Sequence, residues 1–139
     1  MNKSALLKMA DMLDDMPTDR FEIKTFIGGY GELAKVSKDP FSCGAVACAV
    51  GHAAFQPWAH AEGYFFDHEL QGALFIDRDG QKTKGFGHAS RRWLNLNSDQ
   101  WEWLFQVHSY RYDEQFDQGV PPCEVAARIR DFVQAGGIP

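Results

Sequence analysis

The chain has 139 residues, with 14 Lys and Arg against 19 Asp and Glu, and its formal net charge is −5. This length fits one domain, which buries roughly two-thirds of the surface of its unfolded chain. We therefore expect residues 1–139 to form a single globular domain. The acidic balance opposes sequence-independent binding to a phosphate backbone, so nucleic acid is not an expected partner.

The cysteines and the apolar runs indicate a compartment. Three cysteines, an odd number, do not match the even count and dense spacing of a disulfide-stapled secreted module. We expect no signal peptide, because Asp11, Asp14 and Asp15 interrupt the N-terminal segment before an apolar region is long enough. No run approaches the ~20 apolar residues of a membrane span. The sequence therefore predicts a cytoplasmic protein without a membrane partner.

The N-terminal residues predict a helix followed by a short extended segment. Ser4 can cap a helix in which Leu6 and Met9 recur at helical spacing, and Pro17 ends it. Positions 21, 23, 25 and 27 are Phe, Ile, Thr and Ile, and they alternate with Glu22, Lys24 and Phe26, which is typical of a short extended segment.

The segment from Gly44 to Phe55 is apolar or small at every position except His52. A helix that is apolar all round is normally buried in the centre of a domain. The segment therefore predicts a buried small-residue helix, capped at Ser42 or Cys43 and ended near Pro57, with a further turn at 58–62.

The second half of the chain combines a hairpin signal with helical patterns. Aromatic and β-branched residues before Asp79-Gly80, a pair that suits a tight turn, indicate a short β-hairpin. Helical patterns follow at 88–94, 98–105 and 122–135. We therefore expect a mainly α, all-α-type domain of about five helices around the buried small-residue helix, with a short β-hairpin as a minor element.

Two cysteines and a histidine are the candidates for chemistry. Cys43 at a helix N-terminus is a candidate catalytic nucleophile with His52 as its base, because the helix dipole lowers a thiol pKa there. Cys48 and His52 share a helix face at i and i+4, and with Cys43 they are the candidate ligands of a zinc ion. The alternative is a packed core thiol beside a hydrogen-bonded core histidine. We favour this alternative, so no cofactor is expected.

The aromatic residues suggest a binding surface. Trp101 and Trp103 lie roughly 200° apart on a helix, so Trp103 turns outward if Trp101 joins the core. Trp, Tyr and Arg are enriched at the centres of interfaces. We therefore predict a binding surface of four residues, Trp103, Tyr110, Arg111 and Tyr112. The alternative is that these rings cover a small core.

Three segments carry a resemblance to a known family. They are Cys43-Gly44 with Cys48 and Gly51-His52-Ala53, the stretch 89–105, and the closing helix at 125–129. Together they resemble a family of uncharacterised small bacterial and bacteriophage proteins. The resemblance implies an intracellular, often phage-borne, setting and carries no activity with it.

These observations leave two candidate functions, and we favour the first of them. The first is a cytosolic protein-interaction module that binds another protein or a second copy of itself, such as a phage accessory protein. The alternative is a thiol- or metal-dependent enzyme that uses Cys43, Cys48 and His52. The aromatic and arginine content favours the module.

Overall fold

The computed structural model describes residues 1–23, 47–106, 109–110 and 119–138. Within these residues the chain forms six α-helices and three strands. The helices are α1 (Lys3–Asp14), α2 (Ala49–Ala53), α3 (Pro57–His60), α4 (Phe86–Leu94), α5 (Ser98–Phe105) and α6 (Pro122–Gln134). The strands are β1 (Tyr64–Asp67), β2 (Gly72–Ile76) and β3 (Lys82–Lys84), and a 3-10 turn lies at Thr18–Arg20.

The expected mainly α, all-α-type class is wrong, because the strands form a three-stranded antiparallel sheet in the order β1-β2-β3. Tyr64 pairs with Phe75, and Phe75 pairs in turn with Thr83. The turn at Asp79-Gly80 was expected, and it joins β2 to β3. The fold is therefore a mixture of helices and a sheet.

The central helix is also shorter than its apolar composition suggests. Ala47 forms a parallel bridge with Phe21, and its N–H donates to the Arg20 carbonyl (3.1 Å). Cys48 has extended backbone angles, so α2 begins only at Ala49. The predicted caps Ser42 and Cys43 lie outside the described residues. The backbone bonds of Ala47 are thus satisfied by a neighbouring segment and not by a helix.

Helices α1 and α6 pack against each other more extensively than any other pair of elements. Asn2 caps α1, where Ser4 was expected, and its side chain accepts the Ala5 N–H (3.2 Å). The buried positions recur at helical spacing in both helices, as their sequences predict: Ala5, Leu6, Met9, Ala10 and Leu13 in α1, and Pro122, Val125, Ala126, Ile129 and Phe132 in α6.

The sheet joins this core through Tyr64. Its ring stacks on Trp93 of α4, with centroids 4.4 Å apart and an interplanar angle of 5°, and its hydroxyl donates to the Val50 carbonyl (2.7 Å). Tyr64 is fully buried. It therefore ties β1 to α2 and α4 at once. Gly63 just before it has φ +94°, and a side chain there would collide with the Ile76 carbonyl.

None of the helices in the described ranges has the length and apolar character that crossing a bilayer requires.

Candidate functional site

The structure places the Cys48 thiol in the core. Cys48 is the N-cap of α2, but it is 4% exposed and joins the main apolar cluster. Burial raises its pKa to about 11, and this outweighs the lowering effect of the backbone N–H groups of Gly51 and Val50. A five-residue helix also has little macrodipole with which to stabilise a thiolate. Cys48 therefore has the environment of a packing residue. Cys43, the candidate nucleophile, lies outside the described residues.

His52 is a buried, hydrogen-bonded histidine. Its Nε2 lies 2.6 Å from the Arg20 carbonyl, so the neutral ring with a proton on Nε2 donates to that oxygen. Burial lowers the pKa of His52, although the hydrogen bond to Arg20 opposes this. The ring thus ties the 3-10 turn to α2. Among the residues that the structure describes, no group of three or more His, Cys, Asp or Glu is placed to hold a metal ion.

The burial of Cys48 predicts an inert thiol. A variant with Cys43→Ser and Cys123→Ser keeps only Cys48, and one with Cys43→Ser and Cys48→Ala keeps only the exposed Cys123. A rise in pKa from 9.0 to about 11 lowers the thiolate population at pH 8 about a hundredfold. In the native protein we expect Cys48 to react with an aromatic disulfide about a hundredfold more slowly than Cys123 does. Once the protein is unfolded, Cys48 should react completely. Comparable rates in the native protein would contradict the buried position.

The lowered pKa of His52 predicts acid sensitivity. The unfolded chain takes up a proton at this imidazole near pH 6.5, whereas the folded chain does so only at lower pH. The free energy of unfolding should therefore fall as the pH drops below about 6.5, until the folded pKa is reached. We expect His52→Gln to flatten this fall in urea titrations, and His88→Gln, at an exposed position, to leave it unchanged. Equal slopes for both variants would contradict the assignment.

A second cluster lies between α5 and α6, where Arg128 is held between two aromatic rings. Its guanidinium carbon is 4.2 Å from the centroid of the Trp103 ring and 3.6 Å from that of Tyr110. Its Nη1 donates to the Trp103 carbonyl (2.9 Å) and to the carbonyl and hydroxyl oxygens of Ser109 (2.9 and 3.0 Å). We call Trp103, Arg128 and Tyr110 the arginine sandwich.

Local hydrogen bonds position the two rings. Asn97 and Gln100 form a capping box at the start of α5, and the indole of the buried Trp101 donates to Ser90 Oγ (2.9 Å). Trp103 is half-buried and packs against the core cluster. The Tyr110 hydroxyl donates to the Leu104 carbonyl (2.6 Å), which fixes that ring at the end of α5.

The sandwich forms one wall of a surface groove with a volume of about 700 Å³, which we call the α5–α6 groove. Its lining combines aromatic, small and charged side chains: Trp103, Tyr110, Glu124, Ala127, Arg128, Asp131, Phe132, Ala135 and Ile138. Ile138 at the rim is 72% exposed.

The charged side chains of the groove differ in their exposure to solvent. Glu124 and Asp131 are exposed, whereas Arg128 is half-buried. In the described part of the chain, ion pairs are formed by Arg92 and Arg130 and include neither carboxylate. Burial raises the pKa of Tyr110 well above its ordinary value, with Arg128 opposing and Glu124 adding to the rise. Tyr110 is therefore a neutral hydrogen-bond donor.

The predicted binding residues have different positions. Trp103 and Tyr110 are both part of the arginine sandwich. Tyr110 is only 6% exposed, so it supports the wall of the groove and presents little surface to a partner. Arg111 and Tyr112 lie outside the described residues. Sequence reasoning missed Arg128, Glu124 and Asp131. The helical spacing of these three along one polar side of α6 was the available signal, but charged residues on one side of a helix are usually only a solvated face.

Comparison with models of protein families, with curated proteins and with solved structures finds no match. The resemblance to the bacterial and bacteriophage family thus stays a prediction of the sequence.

Proposed function

We propose that the protein is a protein-interaction module that binds its partner in the α5–α6 groove. One observation carries this proposal: a groove of about 700 Å³ is walled by Trp103, Tyr110 and Arg128, which hold one another in place. Trp, Tyr and Arg are the residue types that most often dominate the energetics of protein interfaces. Because the three side chains are already ordered, binding would cost little side-chain entropy.

The rim of the groove supports a macromolecular partner. Ile138 is the most exposed of the large hydrophobic residues in the described ranges, at 72%, and it lies beside the small side chains of Ala127 and Ala135. A partner protein in the groove would cover the Ile138 side chain. A second copy of the chain is one such partner.

The alternative, a thiol- or metal-dependent enzyme, has less support. Cys48 is buried with a raised pKa, and His52 already bonds to a backbone carbonyl. Neither side chain is placed to act on a substrate. The proposal includes a cytoplasmic setting and a bacterial or bacteriophage source, which rest on the cysteine count and on the family resemblance.

Two variants in which tryptophan replaces an alanine test the proposal. Ala127→Trp would place an indole in the groove, and Ala61→Trp makes the same change at an exposed position outside it. We expect affinity capture from the source organism to retain a partner on the wild-type chain and on Ala61→Trp, and to lose at least about nine-tenths of it on Ala127→Trp, since blocking a central pocket removes the dominant contacts. Equal retention on all three folded proteins would overturn the proposal.

A further inference from the structure

We propose that the partner of the α5–α6 groove is a cationic peptide segment, in which Lys or Arg side chains flank apolar ones. This inference rests on the proposed function and adds the chemistry of the partner. It follows from the exposed carboxylates of the groove, together with its apolar rim.

The two carboxylates of the groove are spaced along one side of α6. Glu124 and Asp131 are seven residues apart, and an α-helix rises about 1.5 Å per residue, so they lie about 10 Å apart along the axis. Both are exposed, and within the described ranges neither forms an ion pair. Two unpaired carboxylates at this distance present two sites for cations.

Arg128 lies between them, but its charge is already engaged. Its guanidinium carbon lies 4.2 Å from the centroid of the Trp103 ring and 3.6 Å from that of Tyr110. One edge donates through Nη1 to the oxygens of Trp103 and Ser109. An anionic partner in the groove would also meet the exposed carboxylates of Glu124 and Asp131. The groove therefore favours a positive partner over a negative one.

The apolar part of the groove lies on the same side of α6. Ala127 lies between Glu124 and Asp131 in the sequence of α6, and Ala135 and Ile138 follow Asp131 toward the C-terminus. A partner that pairs with both carboxylates would place its intervening side chains against Ala127. This position suits apolar side chains, because Ala127 and the aromatic rings of the wall line the groove there. The chain's formal charge of −5 would further speed the encounter with a cationic segment.

Selection from a naive displayed peptide library tests the inference without knowledge of the partner. The library is selected on the wild-type chain and, in parallel, on Glu124→Gln with Asp131→Asn, which keeps the shape of the groove. Glu69→Gln with Asp99→Asn removes the same total charge at exposed positions outside the groove and is the matched control. The readout is the Lys and Arg content of each selected pool relative to the starting library.

We expect pools from the wild type and the matched control to be enriched in Lys and Arg, and the pool from the groove variant to lose this enrichment. A synthetic peptide of the selected sequence should bind the groove variant about tenfold more weakly, and its affinity for the wild type should fall with added salt.

Two results would overturn the inference. A pool that lacks Lys and Arg enrichment but no longer binds Ala127→Trp would show that the groove binds peptides of another kind, and the proposed function would stand. A cationic pool that binds Ala127→Trp as well as the wild type would show that the groove is not the site, and both proposals would fail.

Discussion

Tyr64→Ala should lower the free energy of unfolding by about 3–5 kcal/mol, since removing a large buried aromatic side chain leaves a cavity. Tyr64 is fully buried, stacks on Trp93 and donates a hydrogen bond to Val50. It thus links the sheet to two helices, so its loss affects three elements. Urea unfolding measures the effect.

Two variants separate the contributions to this loss. Tyr64→Phe keeps the ring and removes only the hydroxyl that bonds to Val50, and it should cost about 1–2 kcal/mol. Phe65→Ala, next to it and only half-buried, should cost less than Tyr64→Ala. If Phe65→Ala were the more destabilising of the two alanine variants, the face of β1 that carries Phe65 would be the buried one, which would contradict the structure.

Arg128→Ala should lower the free energy of unfolding by about 2–4 kcal/mol, because it removes two cation–π contacts and several charge-assisted hydrogen bonds. Arg130→Ala on the same helix is the matched control. Arg130 pairs at the surface with Asp11 and Asp14, and exposed ion pairs contribute only about 0–1 kcal/mol. Chemical denaturation of both variants measures the difference.

Arg128→Lys separates the contribution of the positive charge to stability from that of the planar guanidinium group. Lysine keeps the positive charge but lacks the planar group that fits between the two rings. We expect it to recover less than half of the stability lost in Arg128→Ala. Full recovery by lysine, or equal costs at Arg128 and Arg130, would mean that the rings and carbonyls around Arg128 contribute little.

The helices with a one-sided apolar pattern could be predicted from the sequence. In α1 and α6 a polar face alternates with an apolar one, which fixes both the helix and the side that is buried. The apolar run before Pro57 lacks this pattern, because a segment that is apolar on all sides gives no period to read. The bridge of Ala47 to Phe21 then decides where α2 begins. That contact joins distant parts of the chain and leaves no local signal.

The turn at Asp79-Gly80 predicts a hairpin, but the composition of β3 itself gives no strand signal. Lys82-Thr83-Lys84 is short and polar, and it is held by pairing with Leu74, Phe75 and Ile76 of β2. An exposed edge strand rich in lysine is a common protection against aggregation, but its composition is that of a loop.

Part of the candidate site could be predicted from the sequence. Helical geometry separates the two rings: Trp101 is buried in the core, while Trp103 is half-buried and packs against the core cluster. The role of Arg128 depends on how α6 docks against the end of α5, and no spacing within α6 encodes that contact. The cysteine motif, by contrast, attracted chemical interpretations that the burial of Cys48 does not support.

Site-specific photo-crosslinking tests the central claim, that the α5–α6 groove binds a partner protein. A photoreactive phenylalanine analogue is placed at Ala127 in the groove and, separately, at the exposed Ala61 outside it, and each protein is irradiated in cells of the source organism. We expect a discrete covalent adduct with a partner from position 127 and none from position 61. An adduct from position 61 alone, or from neither position, would contradict the claim.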